Sequence, residues 1–185
     1  MKTIKLALIG CGNVGKAFAR MLRQKTDDIC ENFDTEVRIT AICTRSKGAL
    51  TDSRGIDIEH LDDQVFDGKK SAMEVIAEAD YDVLIELTPI NILTGMPAIE
   101  HIRDGINRGK HVITANKGPV AWAYRELSDL AAAKGVCFCH EAAVMDGGAV
   151  GEHVALLHDL AGHAGRHLAE AGVLVGLVEL QQIVG

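Results

Sequence analysis

The chain has 185 residues, 48% of them hydrophobic, and a formal net charge of −7 at pH 7. Length and composition suit one globular domain, or one domain with a substantial appendage, and the charge argues against binding to nucleic acid or anionic membranes. No apolar run reaches the roughly 18 residues of a spanning helix, and no secretory leader opens the chain. Five cysteines without a C-x-x-C or zinc spacing indicate reduced thiols, so we expect a cytoplasmic protein.

The chain opens on an apolar run, Ile4 to Ile9, that leads directly into three glycines spaced G-x-G-x-x-G. Apolar residues at the spacing of one helix face follow the glycines: Val14, Phe18, Met21 and Leu22. Strand, glycine turn and helix in this order predict a dinucleotide-binding turn. Gly10 would make the tight turn, Gly12 would admit the pyrophosphate, and Gly15 would let the helix pack closely on the sheet. The phosphates would rest on the N–H groups at the helix N-terminus.

The segment after this helix is harder to assign. Polar composition predicts a loop from Gln24 to Thr35, and an apolar pattern predicts a second strand from Glu36 to Cys43. Residues 44–70 are rich in Asp, Gly and Lys, and we interpret them as mostly loop with one short element near Ile56 to Leu61.

From residue 71 onward, helices and strands alternate clearly. Three helices are predicted in this part of the chain. The first covers residues 71–79, with Ser71 and Glu74 as a capping box. The second begins near Thr94 and Pro97, buries Ile99, Ile102 and Ile106 and stops at Gly109, and the third covers residues 122–134 and ends at Gly135. The predicted strands are 81–87, 111–114 and 136–140. This alternation predicts an α/β fold of the Rossmann type, a doubly wound and mostly parallel sheet with helices on both faces.

The residues after the second strand bear on the choice of cofactor. Sites that select NAD place an acidic residue there to bind the ribose 2′-hydroxyl, whereas an arginine accommodates the 2′-phosphate of NADP. This chain has Arg45 and Lys47 and no acid between them. The pattern favours NADP(H), with NAD(H) as the alternative cofactor and a solvated loop arginine as the alternative interpretation.

Two further candidates follow the ends of later strands, where ligands bind in open α/β sheets. Thr88 follows the third of the clearly recognised strands, and Lys117 follows the fourth. A lysine in this position can hold a carbonyl or hydroxyl oxygen whose charge changes during hydride transfer. Position alone leaves a solvated loop lysine as an equal alternative.

Four blocks of sequence occur together at characteristic distances. They are Gly-Cys-Gly-Asn-Val-Gly at 10–15, Glu-Leu-Thr-Pro at 86–89, Gly-Lys-His-Val-Ile-Thr-Ala-Asn-Lys-Gly-Pro at 109–119 and Glu-Ala-Ala-Val-Met-Asp-Gly at 141–147. By these blocks the chain resembles homoserine dehydrogenase over residues 1–147, the nucleotide-binding half of that family.

The resemblance implies NAD(P)-dependent interconversion of L-homoserine and L-aspartate 4-semialdehyde, on the route to threonine and methionine. Thr88 would lie near the nicotinamide, and Lys117 would be the catalytic residue at the junction of cofactor and substrate. The residues that would line the rest of the cofactor are Gly10, Gly12, Asn13, Val14 and Gly15. A small amino-acid substrate is expected.

The resemblance also implies a monovalent cation such as Na⁺, held largely by backbone carbonyl oxygens. The positions that would match this site are Glu141, Val144, Asp146 and Gly148.

Residues 148–185 depart from the family. They do not resemble its catalytic and dimerisation region, and they contain no lysine, whereas the family uses a second lysine there. We interpret them as a short apolar, helical tail, whose segment 173–184 would fold onto the sheet or join two copies into a homo-oligomer. Two functions therefore stay open: an oxidoreductase completed by the tail or by a partner chain, and an NADP(H)-binding module without turnover.

Overall fold

The computed structural model describes residues 1–140, which form one six-stranded sheet with helices packed against it. The strands are β1 (Lys2–Ile9), β2 (Thr35–Thr44), β3 (Gly48–Thr51), β4 (Val83–Glu86), β5 (His111–Thr114) and β6 (Phe138–Cys139). The helices are α1 (Asn13–Gln24), α2 (Thr26–Phe33), α3 (Ala72–Glu78), α4 (Ala98–Asn107) and α5 (Lys117–Lys134), with one 3-10 turn at Leu61–Asp63. The predicted tail and the predicted cation site lie outside the described residues.

The sheet has the order β3-β2-β1-β4-β5-β6, and every neighbouring pair is parallel except β2 and β3. The strand order reverses between β1 and β4, which is the arrangement of a doubly wound sheet. Ile9 pairs with Glu86, and Glu86 pairs with Thr114, so the carboxyl ends of β1, β4 and β5 lie side by side. The predicted fold class is confirmed.

Both faces of the sheet are buried, because side chains alternate along each strand. In β1, Leu6 and Leu8 pack in the cluster that holds Phe18 of α1, whereas Ala7 and Ile9 belong to the opposite cluster. That second cluster gathers buried residues of three helices: Val75 and Ile76 of α3, Ile99, Ile102 and Ile106 of α4, and Leu127 and Ala131 of α5. Burial on both sides explains why the strands read as continuous apolar runs.

Part of the segment predicted as a loop from Gln24 to Thr35 is a helix, α2. Its first turn carries Asp27 and Asp28, whose negative charges interact favourably with the positive end of the helix dipole. The helix ends at Asp34, which adopts the left-handed conformation. The polar sequence concealed this element because α2 lies on the surface, where Ile29 is only partly buried.

The loop predicted over residues 44–70 contains the short strand β3. It forms a hairpin with β2, in which Cys43 pairs with Ala49 and Thr44 with Gly48. Gly48 has a φ of +81°, and a Cβ atom there would lie 2.0 Å from the Asp67 carbonyl oxygen. Four residues with a glycine at one end give too little alternation for sequence reasoning to identify a strand.

Three details of the predicted helices are wrong. Helix α4 begins at Ala98 with Pro97 as its N-cap, so it starts after Thr94 and not near it. Helix α5 begins at Lys117 and not at Trp122, because Asn116 caps it, and the backbone departs from helical geometry at Ala123. Val14, predicted on the buried face of α1, is 42% exposed, while Phe18 and Leu22 are buried as expected. None of the helices in residues 1–140 has the length and apolarity to span a bilayer.

The capping box predicted for α3 is confirmed. The Glu74 N–H donates to the Ser71 hydroxyl at 3.3 Å, and the Glu74 carboxylate accepts from the Ser71 backbone N–H at 2.7 Å and from its hydroxyl at 2.6 Å. These hydrogen bonds from Ser71 hold the pKa of Glu74 below its usual value.

Ser71→Ala should lower the free energy of unfolding by about 1 kcal/mol, because it removes the side-chain cap of α3. The difference should narrow as the pH falls through the lowered pKa of Glu74, where the carboxylate gains a proton. Urea denaturation followed by circular dichroism measures both effects. Ser53→Ala, at an exposed turn, is the control, and an equal loss in the two variants would contradict the capping role.

Candidate functional site

The glycine turn joins β1 to α1 at the point where the strand order reverses. Gly10 has a φ of +101°, and a Cβ atom on it would lie 2.6 Å from the Leu87 carbonyl oxygen. A Cβ on Gly15 would lie 2.9 Å from the Gly10 carbonyl oxygen. Steric contact therefore requires glycine at both positions, as the motif predicts.

The space beside Gly12 is open. A Cβ atom built on Gly12 would have no described heavy atom within 4 Å, and Gly12, Asn13 and Val14 are all exposed. Gly12 is the N-cap of α1 and has no side chain, so no capping side chain accepts a hydrogen bond from the first N–H groups of the helix. This opening fits the close backbone approach of a pyrophosphate.

Electrostatics at the helix starts favour an anion at α1. Among the five described helices, α1 and α5 carry no acidic residue in the first turn, whereas α2, α3 and α4 each carry at least one. An acid in the first turn would compete with a bound phosphate for the same N–H groups and the same dipole. Helix α1 therefore presents its positive end without internal neutralisation.

The two cations of the cofactor-selection prediction lie in the β2–β3 turn and are exposed. This turn is held close to the glycine turn, because the Gly10 N–H donates to the Cys43 carbonyl at 2.8 Å. The Lys47 Nζ lies 5.4 Å from the centroid of the Phe66 ring, a cation–π contact that occupies this side chain. Arg45 is therefore the better candidate for a 2′-phosphate.

The thiol nearest to this turn offers no competing chemistry. Burial raises the pKa of Cys43, and the negative charge of Glu74 raises it further. The thiol stays protonated at neutral pH, so it is a poor nucleophile. All five cysteines are free of disulfide bonds, as expected.

A closed set of hydrogen bonds connects the ends of β4 and β5. The Thr88 N–H, at 3.0 Å, and the Thr88 hydroxyl both donate to Glu86 Oε1, and the Thr114 hydroxyl donates to Glu86 Oε2 at 3.1 Å. The Asn116 N–H donates to the Thr114 hydroxyl oxygen at 3.0 Å, and the Asn116 side-chain amide donates to the Thr88 carbonyl at 3.0 Å. We refer to Glu86, Thr88, Thr114 and Asn116 as the Glu86 network.

This network determines where Lys117 lies. Asn116 is the N-cap of α5, and its side-chain oxygen accepts from the Gly118 N–H at 3.0 Å. Lys117 is the first residue of the helix and is exposed. A cation at this end of a helix is opposed by the dipole, so Lys117 does not stabilise α5 by its charge. Its position suits a role toward a ligand.

The structure thus brings most of the predicted site residues to one edge of the sheet. Gly10 contacts the backbone of Leu87 and Thr88, and Lys117 follows the strand next to them. Sequence reasoning assigned no role to Glu86 or Asn116; a signal for Glu86 was its charge at the end of an apolar run. Within residues 1–140, no cluster of His, Cys, Asp and Glu could hold a metal ion.

A parallel sheet whose strand order reverses at a glycine-lined turn, followed by a helix with an open N-terminus, defines a Rossmann-type dinucleotide-binding domain. The family model described as "Homoserine dehydrogenase, NAD binding domain" matches residues 10–141. The chain therefore belongs to the homoserine dehydrogenase family.

Individual relatives agree. The chain is 40% identical over 156 residues to a homoserine dehydrogenase of Methanocaldococcus jannaschii, covering 78% of this chain and 45% of the relative. It is 31% identical over 158 residues to an NAD(+)-dependent homoserine dehydrogenase of Pseudomonas canavaninivorans, a match that covers 80% of this chain and 45% of the relative. The chain thus spans less than half the length of these relatives.

Solved structures share the fold. The S. aureus homoserine dehydrogenase superposes with a TM-score of 0.61 at 26% identity, covering 78% of this chain and 33% of that one. A hyperthermophilic archaeal homoserine dehydrogenase in complex with NADPH superposes with a TM-score of 0.62 at 21% identity, covering 76% and 44%.

Gly10 and Gly12 should differ in how much an added methyl group lowers the free energy of unfolding. Gly10→Ala should lower the free energy of unfolding by at least about 1–3 kcal/mol, because of the positive φ and the contact with Leu87. Gly12→Ala should change it by no more than about 0.5 kcal/mol without ligand, since its surroundings are open. Urea denaturation of both variants measures the difference, and equal losses would contradict the geometry of the turn.

Proposed function

We propose that this chain binds NADP(H) and forms the cofactor-binding half of an oxidoreductase that interconverts L-homoserine and L-aspartate 4-semialdehyde. The observation that carries the proposal is the convergence of the glycine turn, Thr88 and Lys117 at one edge of the sheet, in a member of this family. Such a protein would act in the cytoplasm, on a small amino-acid substrate in threonine and methionine biosynthesis, as a homo-oligomer.

The residues at the reversal of strand order fit a dinucleotide. The open N-terminus of α1, with Gly12, Asn13, Val14 and Gly15, would receive the pyrophosphate. Arg45 would receive the 2′-phosphate of the adenosine ribose, which makes NADP(H) the proposed cofactor. NAD(H) is the alternative, since one relative is named as NAD(+)-dependent and another structure holds NADPH.

A bound nicotinamide would supply the hydride acceptor or donor for the carbon that carries the substrate oxygen. The proposed role of this chain's catalytic residue, Lys117, is to hold that oxygen and share its proton. An ammonium group stabilises the negative charge that gathers on the oxygen as the aldehyde is reduced. A Na⁺ site at Glu141, Val144, Asp146 and Gly148 remains part of the proposal.

The cofactor preference can be tested directly. The chain should bind NADPH more tightly than NADH, and Arg45→Ala should remove most of this difference, about 1–3 kcal/mol for a charge-assisted hydrogen bond to phosphate. Fluorescence titration of both cofactors measures the affinities.

The matched control is Arg54→Ala, which removes an exposed arginine that follows β3 and is paired with Asp52. Its removal should leave the ratio of the two affinities unchanged. Equal affinities of the unmutated chain for NADPH and NADH would refute the assignment of Arg45.

Turnover separates the oxidoreductase from a binding module. Lys117 supplies one catalytic group, and residues 148–185 contain no lysine and do not resemble the family's substrate-binding region. Since positioning of the substrate accounts for many orders of magnitude in rate, we expect this chain alone to bind NADP(H) and to oxidise homoserine at or near background.

A spectrophotometric assay with homoserine and NADP⁺ measures this rate. Robust turnover that Lys117→Ala abolishes, and that Lys134→Ala at the other end of α5 leaves intact, would show instead that the chain holds a complete substrate site.

A further inference from the structure

The carboxylate of Glu86 is the least expected feature of the site. The residue is 0% exposed and ends a strand whose other residues are apolar. A buried carboxylate is costly unless it is hydrogen-bonded. Glu86 accepts three hydrogen bonds, two from Thr88 and one from Thr114, so the structure supports its charged form with donors on both oxygens.

One basic side chain lies near this carboxylate. His101 of α4 is buried, and its Nδ1, which has no hydrogen-bond partner among the described residues, lies 3.8 Å from Glu86 Oε1. The distance is too long for a hydrogen bond but short enough for electrostatic interaction. The carboxylate is therefore held mainly by the two threonines, and in turn it orients them.

Orientation matters most for the hydroxyl of Thr88. A threonine hydroxyl has one proton to donate and two lone pairs that accept. The Thr88 hydroxyl donates its proton to Glu86, so toward any ligand its oxygen can only accept. The same residue also accepts from Asn116 through its carbonyl, which restrains the backbone.

We infer that Glu86 is a positioning residue that fixes the Thr88 hydroxyl as an acceptor for the carboxamide N–H₂ of a nicotinamide. The inference rests on the proposed binding of NADP(H). In a doubly wound sheet one half of the dinucleotide lies over each half of the fold, and the Glu86 network belongs to the β4–β5 half, opposite the β2–β3 turn that carries Arg45. A carboxamide nitrogen donates two hydrogen bonds and therefore requires acceptors.

The test compares three ligands by isothermal titration calorimetry. They are NADP⁺, its 3-acetylpyridine analogue, in which a methyl group replaces the carboxamide nitrogen, and adenosine 2′,5′-bisphosphate, which lacks the nicotinamide half. The unmutated chain should bind the analogue about tenfold more weakly than NADP⁺, the effect of one lost hydrogen bond at a buried site.

Glu86→Gln keeps the shape of the side chain but can turn a donor toward Thr88. In this variant NADP⁺ and the analogue should bind within about twofold of each other, and the bisphosphate should bind as it does to the unmutated chain. Glu78→Gln, a surface carboxylate paired with Lys70, is the matched control and should keep the tenfold discrimination.

A second pair of variants covers the case in which Glu86→Gln fails to fold. Thr114→Val removes the hydroxyl that holds Glu86 Oε2, whereas Thr114→Ser keeps it. Discrimination between NADP⁺ and the analogue should fall in the valine variant and persist in the serine variant, because a hydroxyl group at this position rescues the orientation.

The outcomes distinguish the inference from the proposed function. An unmutated chain that binds none of the three ligands would overturn both. An unmutated chain that binds NADP⁺ but does not discriminate against the analogue would overturn the inference alone. So would full discrimination in Glu86→Gln or in Thr114→Val.

Discussion

The close approach of the glycine turn to the end of β4 is the contact on which the rest of the site depends. A Cβ atom at Gly10 would come within 2.6 Å of the Leu87 carbonyl oxygen, so the chain can leave β1 beside β4 only without a side chain there. The same approach places the turn that leads into α1 beside the backbone of Thr88, which follows β4 and comes much later in the chain. The glycine turn proposed to receive the cofactor phosphates and Lys117, the proposed catalytic residue, thereby come to share one edge of the sheet.

Charge is distributed around this edge in a consistent way. Two described helices begin at this edge: α1, whose N-terminus is open, and α5, whose first residue is Lys117. Neither helix has an acidic residue in its first turn. The carboxylate that the site does contain, Glu86, is buried and is hydrogen-bonded by hydroxyl and amide donors. A bound phosphate would therefore meet N–H groups and cations, while the carboxylate of Glu86 orients Thr88 and Thr114.

The sequence predicted what depends on local pattern. Apolar runs located the buried strands, and Ser71 with Glu74 located the start of α3, because both signals lie within a few residues. It could not reveal α2, a surface helix that buries little, or the pairing of Glu86 with Thr114, which depends on the register of two strands whose paired residues are 28 positions apart in the chain. The glycine positions were recognised as a motif, but the reason for glycine at position 10, the closeness of the Leu87 carbonyl oxygen, is a tertiary contact.

The site has two parts, Arg45 and the Glu86 network, which lie on opposite sides of β1 in the sheet and are under different structural constraints. Arg45 belongs to an exposed hairpin turn that can change its residues without disturbing the core, so the proposed choice between NADP(H) and NAD(H) would be free to vary within the same fold. Glu86, Thr114 and Asn116 of the Glu86 network are buried, and losing one hydrogen-bonding group there leaves another unsatisfied. The proposed determinant of cofactor preference therefore lies on a permissive loop, whereas the residues proposed to orient the nicotinamide end and Lys117 lie on a part of the structure that tolerates little change.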